Sequence, residues 1–249
     1  MTTFIDKTII ITGSSRGLGR SIAIGFAKKE ANIVINYNQD VKSAEEVYDY
    51  IKTINKNVMV LQADVTKRND VKRLFDKTIN KFGSIDVLIN NAGINKRGYF
   101  DEITDNDWDM IMDSNLKSVF ICCQEVFKYM KKSGGRIINI SSGSGQYHGP
   151  KTVHYAVSKS GVNSLTKVIA RYGAKNNILV NAIAPGVILT DQTKDEINSP
   201  AGKTYLDMTL LNRFGEPKDV TTTCIFLASE DQNYITGQVI SVSGGAYLG

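Results

Sequence analysis

In the stretch HYAVSKSG, residues 154–161, a tyrosine stands four residues ahead of a lysine. The run that follows, VNSLTKVIARYGAK, carries apolar positions at helical spacing, so one helix through both puts Tyr155 and Lys159 on a shared face. A free phenol titrates near about 10, and a cation within about 4–6 Å favours its ionised form. A phenol tuned this way is a general acid and base suited to neutral pH. The plain alternative is a solvated contact on a helix surface, which is what most such pairs are. Ser142 ends the apolar run RIINISS thirteen residues before Tyr155 and could hold a carbonyl beside the phenol. A loop hydrogen bond is the alternative for it and for its neighbour Ser141. Asn115, in DSNLKSVF, falls inside a helical pattern where asparagine is a poor helix former. It either holds a water through its backbone or side chain or is merely tolerated. His148 and His154 could form a relay near Ser142 and Tyr155; the plainer expectation is contact with a substrate from a loop, or exposure to solvent.

A second group of residues suits a dinucleotide. The run KTIIIT leads into TGSSRGLG, residues 12–19, which opens a helical pattern. Gly13 permits a tight turn, and Gly17 and Gly19 remove side chains where backbone must approach a pyrophosphate and where helix packs on strand. The helix start then offers free N–H groups and a partial positive charge to phosphate. The end of the next strand reads Asn36-Tyr37-Asn38, without the acid that commonly binds the adenosine 2′-hydroxyl, while Arg16 lies inside the turn. That combination favours a 2′-phosphate, hence NADPH over NADH. A solvent-facing Arg16 and use of both cofactors is the alternative. Asp40 is placed to cap the following helix. Asp64 could accept from an adenine amino group or cap the helix after it. Asn90 could tie strands or ribose together, and Asn91-Ala92-Gly93 supply small residues at a ligand edge.

Elements must bring these residues together. Short runs rich in Val and Ile occupy residues 7–12, 32–37, 58–64, 85–91, 136–141 and 178–185, and QVISVSGG closes the chain. Amphipathic patterns separate them, with residues 105–132 reading as one long helix or two. Alternation of this kind predicts an α/β protein: a single-domain Rossmann fold, residues 1–249, with a doubly wound parallel sheet of about seven strands and helices on both faces. No linker or repeat divides it. Residues 186–217 form a long irregular stretch after a strand end; a substrate lid is one reading, a packed excursion or oligomer contact the other.

Composition narrows the classes. Hydrophobic residues make up 42% and charged residues 22%, and the net charge of +5 is scattered, with no block suited to nucleic acid. Three cysteines, two of them adjacent, argue for core thiols rather than disulfides, and no spacing suggests a metal site. No apolar run reaches the roughly 20 residues of a membrane span, so a cytoplasmic protein is expected.

TGSSRGLG, NNAG, the Asn115 segment, Ser142, YAVSK and NAIAPGVILT, in that order and over essentially the whole chain, resemble the short-chain dehydrogenase/reductase family. The resemblance implies a catalytic set of Asn115, Ser142, Tyr155 and Lys159. In it the tyrosine gives a proton to a carbonyl as nicotinamide gives hydride, and the serine orients the carbonyl. The lysine lowers the tyrosine pKa and holds the nicotinamide ribose, and the asparagine keeps a water leading to the lysine. It implies a cofactor set of Gly13, Ser15, Arg16, Gly17, Leu18, Gly19, Asn36, Asp64, Val65, Asn91, Ala92, Gly93, Tyr155, Lys159, Pro185, Gly186, Val187, Ile188 and Thr190, and a homotetramer. Within the family, LNRFGEPKDV and YITGQVISVSGG are similar to 3-oxoacyl-(acyl-carrier-protein) reductases of fatty acid biosynthesis, whereas VHYAVSK is closer to glucose dehydrogenases. The expectation is therefore an NADPH-dependent carbonyl reductase acting on an acyl thioester or other small carbonyl substrate. NAD(P)-dependent oxidation of glucose or another secondary alcohol is the alternative, and a non-catalytic nucleotide sensor the third reading. An acyl carrier protein is a possible partner, with Lys131, Lys132, Arg171 and Lys175 as possible contacts or simply solvated helix ends. Tyr172 stands where an acid commonly follows the arginine.

Overall fold

The computed structural model describes residues 3–147, 152–191 and 193–248, so His148 lies outside the described residues. The Val- and Ile-rich runs become β1 (Thr8–Ile11), β2 (Asn32–Tyr37), β3 (Val58–Gln62), β4 (Val87–Asn90), β5 (Gly135–Ile140), β6 (Ile178–Pro185) and β7 (Val239–Val242). They form one parallel sheet in the order β3-β2-β1-β4-β5-β6-β7. Successive side chains of each strand serve opposite faces, which is why the runs are apolar throughout. Ile9, Ile11, Ile33, Ile35 and Ile89 enter a core with α1 (Gly17–Ala27), α2 (Val41–Lys52) and α9 (Pro217–Ala228). Ile10, Val34, Leu88 and Ile137 enter the core on the other face, with α3 (Arg68–Phe82), α5 (Ser118–Met130) and α6 (Val153–Gly173).

The chain reverses its winding at β1. Ile10 pairs with Val34 of β2 on one side and Leu88 of β4 on the other. Because every strand runs the same way, the segments after β1, β4, β5 and β6 all emerge at one edge, over the crevice where open α/β sheets take ligands.

The stretch expected as one helix or two is α4 (Asp105–Met112) joined to α5 by a π turn, Asp113–Lys117. Residues 186–217 carry two short helices, α7 (Lys194–Ile197) and α8 (Pro200–Asp207). Their base is closed by a parallel bridge between Ile188 and Gly215. Among the described residues no helix is long and apolar enough to cross a membrane.

Candidate active site

The glycine turn is held from three sides. Gly13 and Gly17 sit at φ +61° and +54°, in the left-handed region that glycine enters freely. Ser14 Oγ donates to Ile11 O at 2.8 Å and accepts from Asn36 N at 3.0 Å. Asn36 Oδ1 accepts from Gly13 N at 3.1 Å, and its Nδ2 donates to Ala63 O at 3.1 Å. Asn36, expected among the cofactor contacts, thus has its amide committed beneath the turn; the register of β2 on β3 points it inward. Asn91 behaves likewise, its Nδ2 donating to Thr12 O and Gly13 O, each at 3.0 Å. Thr12 Oγ1 accepts from Asn91 N and Ala92 N, so the ends of β1 and β4 move as one piece.

Helix α1 starts from this turn with Arg16 as its N-cap in extended conformation. No side chain caps it and no acid occupies its first turn, which leaves its N–H groups for an external anion. Ser15 and Leu18 are half-buried along the turn, and Arg16 is exposed. The Arg16 charge reaches Asp40, but that carboxylate is held below the usual range mainly by Ser43, whose hydroxyl and N–H both donate to it as it caps α2. Asp64 Oδ1 accepts from Thr66 N at 2.9 Å and Thr66 Oγ1 at 2.7 Å, and Val65 is buried in the core.

The segment after β6 closes over the turn. Gly186 N donates to Val242 O, and Val187 O accepts from Gly215 N. Ile188, expected at the cofactor, is 6% exposed with its side chain packed in the core, so its backbone is the part available to a ligand. Thr190 reaches back to the glycine turn: its Cγ2 would lie 4.0 Å from a Cβ placed on Gly17. The turn therefore keeps open space on the side that faces Thr190.

Helix α6 carries Tyr155 and Lys159. Lys159 is 4% exposed, its Nζ donating to Ile140 O at 2.9 Å and lying 5.7 Å from the centroid of the Tyr155 ring. Burial pulls its pKa down to about 8. A Cβ on Gly93 would meet Asn115 Oδ1 at 3.0 Å and the same Nζ at 3.5 Å, so the ammonium lies beside the end of β4. Ser142 is half-buried and caps a three-residue 3-10 turn, Gly143–Gly145, its Oγ accepting from Ser144 N at 3.1 Å. Its neighbour Ser141 is buried and donates to Lys159 O at 3.2 Å. The two adjacent serines thereby differ: Ser142 is half-buried and tied to its own turn, and Ser141 braces the helix.

Asn115 is fully buried in the π turn. Its Oδ1 accepts from Ile94 N at 2.8 Å, and its Nδ2 donates to Ile94 O at 2.9 Å and Ser158 Oγ at 3.2 Å. The side chain is occupied in stapling the loop after β4 to α6, which leaves only its backbone for the expected water. Ser158, which the sequence did not single out, completes this link by donating to Tyr155 O at 2.7 Å. His154 departs from expectation: it is 1% exposed, with neither ring nitrogen hydrogen-bonded. Burial lowers its pKa, Asp107 opposing and Lys96 assisting, so the ring is neutral packing and neither a substrate contact nor a solvent-facing group.

Residues 13–247 match the family model described as enoyl-(acyl carrier protein) reductase. A 3-oxoacyl-(acyl-carrier-protein) reductase of Staphylococcus epidermidis is 40% identical over 98% of this chain and 100% of its own length. The chain belongs to the short-chain dehydrogenase/reductase family. Glucose 1-dehydrogenase 2 of Bacillus subtilis is a further relative, 35% identical over 97% of this chain and 95% of that protein. A short-chain type dehydrogenase/reductase of Mycobacterium marinum superposes with a TM-score of 0.94 at 28% identity, covering 99% of this chain and 98% of the other. Membership of this family makes the protein an oxidoreductase of the CH–OH/C=O couple that works with a nicotinamide cofactor.

Proposed function

We propose that the protein is an NADPH-dependent reductase of 3-oxoacyl thioesters, with Tyr155 as proton donor. One observation carries the reading: a buried lysine, Lys159, sets its Nζ between the Tyr155 ring and Gly93 at the end of β4. An ammonium in that place favours the ionised phenol and can hold the hydroxyls of a ribose.

The residues present fit a dinucleotide. The uncapped, acid-free start of α1 and the left-handed Gly17 facing Thr190 form a cradle that any larger side chain would fill. The start of α1 would hold the pyrophosphate, and Lys159 beside Gly93 would hold the ribose. Arg16 is the group for a 2′-phosphate, since it is exposed in the turn and β2 ends without an acid. Bound in this cradle, the reduced nicotinamide supplies hydride. The Ser142 hydroxyl orients the carbonyl, Tyr155 protonates its oxygen as the carbon is reduced, and the product is a 3-hydroxyacyl thioester. Asn115 acts through Ile94 and Ser158 to fix the loop beside Lys159.

The acyl thioester as substrate rests on the 40% identical relative. The second reading, oxidation of glucose or another secondary alcohol by the same residues, rests on the Bacillus subtilis relative. Residues 186–217 act as the lid in either case, as part of one domain spanning the chain. Three buried free thiols, Cys122, Cys123 and Cys224, suit the reducing cytoplasm. A homotetramer would cover Phe120, Val168 and Tyr172, exposed apolar residues of α5 and α6.

Lys131, Lys132, Arg171 and Lys175 are exposed at the far ends of α5 and α6, joined by Asn176 Nδ2 donating to Lys131 O. At about 1.5 Å rise per residue, Arg171 lies ~24 Å along α6 from Tyr155. These cations are exposed at helix ends, and they serve either as solvated ends or as contacts for a carrier protein that delivers its thioester on a long arm.

The deciding experiment is Tyr155→Phe assayed with NADPH on acetoacetyl thioesters, glucose and a panel of ketones and alcohols. Turnover falls by at least about a hundredfold, as for loss of a general acid, while NADPH affinity is retained. Wild-type-like turnover by the variant removes Tyr155 as the proton donor.

A further inference from the structure

The last residues of the chain lie on the turn that presents Ser142. Gly143 packs against the Tyr247 ring so closely that a Cβ there would stand 2.1 Å from Tyr247 Cε2. On its other side the turn is fixed to α6: Ser160 Oγ and Asn163 Nδ2 both donate to Gly145 O, at 2.9 and 3.2 Å. A Cβ on Gly145 would lie 2.8 Å from the Lys159 backbone. The Ser142 turn is thus clamped between the catalytic helix below and one aromatic ring above. Tyr147, just beyond the turn, packs tilted against the same ring at 5.7 Å between centroids.

The segment that delivers Tyr247 is itself anchored at both ends of residues 186–217. Ser243 packs on Gly186, with its Cα 3.0 Å from where a Gly186 Cβ would be. Gly244 O accepts from Leu211 N at 3.1 Å, and Gly245 meets Leu210. Gly244 and Gly245 take φ of +62° and +85°, the sharp bend that turns the chain from β7 back over the cleft.

We propose that Tyr247 is a positioning residue for Ser142: the ring seats on Gly143 and fixes the direction of the serine hydroxyl, and the tail ties that direction to the lid. This rests on the reading of Ser142 as the group that orients the carbonyl. The Ser142 oxygen is tied to its own glycine-rich turn through Ser144 N, so its aim depends on what holds that turn.

The test is a double-mutant cycle on the full chain, with NADPH and acetoacetyl-CoA, following kcat and KM separately. Tyr247→Ala lowers kcat by about ten- to a hundredfold, in the range of a misplaced catalytic contact, with NADPH affinity unchanged. Tyr247→Phe, which keeps the ring, stays near wild type. In a Ser142→Ala background the further loss from Tyr247→Ala disappears, since the group it positions is gone. Gly143→Ala, which pushes the ring off from the other side, reproduces the kcat loss and serves if Tyr247→Ala does not fold. A loss confined to KM, or a full additive loss on top of Ser142→Ala, overturns the proposal while leaving the role of Ser142 standing. Wild-type turnover by Ser142→Ala itself removes the role of Ser142, and the proposal with it.

Discussion

Lys159 is a charge placed where folding alone would not put one. It is almost fully buried, its Nζ is bonded to the Ile140 carbonyl, and burial lowers its pKa from 10.5 to about 8. The unfolded chain therefore binds more protons than the folded one between about pH 8 and 10.5. Stability rises with pH through that window, and the penalty is complete below it. Lys159→Met is accordingly expected to stabilise the cofactor-free protein at pH 7 by about 1–3 kcal/mol, and to abolish turnover. Denaturant titrations at pH 7 and pH 10 read the gain, which shrinks at the higher pH. A destabilised Lys159→Met at pH 7 would show that the ammonium is compensated by its surroundings. In the wild type, kcat/KM for reduction falls as pH rises past about 8, where the cation is lost. The Tyr155–Lys159 pair was readable from the sequence because helical spacing alone puts both on one face. The bonds of the Asn36 amide and the burial of the Ile188 side chain were not, because they depend on neighbours distant in sequence. The His154 burial was hidden for the same kind of reason, since it depends on α4 packing against α6.

At the scale of elements, the sequence placed every strand and overshot in one informative way. Residues 7–12, 58–64 and 85–91 were expected as strands, and the ladders stop at Ile11, Gln62 and Asn90. The excess residues, Thr12, Ala63-Asp64 and Asn91, leave the sheet at its ligand edge, where their polar groups hold turns instead of strands. The π turn was not legible, since periodicity cannot register a single wide turn between α4 and α5. It sets Asn115 against Ile94, and this joint is testable. Asn115→Leu removes the bonds to both Ile94 backbone groups and to Ser158, and is expected to destabilise by about 2–4 kcal/mol. Amide hydrogen exchange should quicken at Gly93–Lys96 more than in β1 or β4. Unchanged protection of that loop would mean that the staple is not what orders it.

For the whole molecule, the consequence of an all-parallel sheet is that residues from four distant parts of the chain meet at one edge, and a cofactor lying along that edge touches most of them. Binding should therefore stabilise the fold as a unit, by about 2.7 kcal/mol at a ligand concentration a hundred times Kd. The identity of the cofactor is decided at the other end of the cleft from the chemistry. Arg16 is exposed, lies within reach of the Asp40 charge, and has no acid of β2 beside it to repel a 2′-phosphate. A charge-assisted contact of this kind contributes about 1.5–3 kcal/mol, or roughly ten- to a hundredfold in affinity. Arg16→Ala should then weaken NADP by that factor and NAD hardly at all. Thermal unfolding with each cofactor at fixed concentration reads the difference directly, because the NADP-induced rise in Tm shrinks toward the NAD value while the Tm of the free protein stays put. Equal losses for both cofactors would mean that Arg16 serves the shared pyrophosphate, and the preference for the 2′-phosphate would have to be sought along Asn38 and the start of α2.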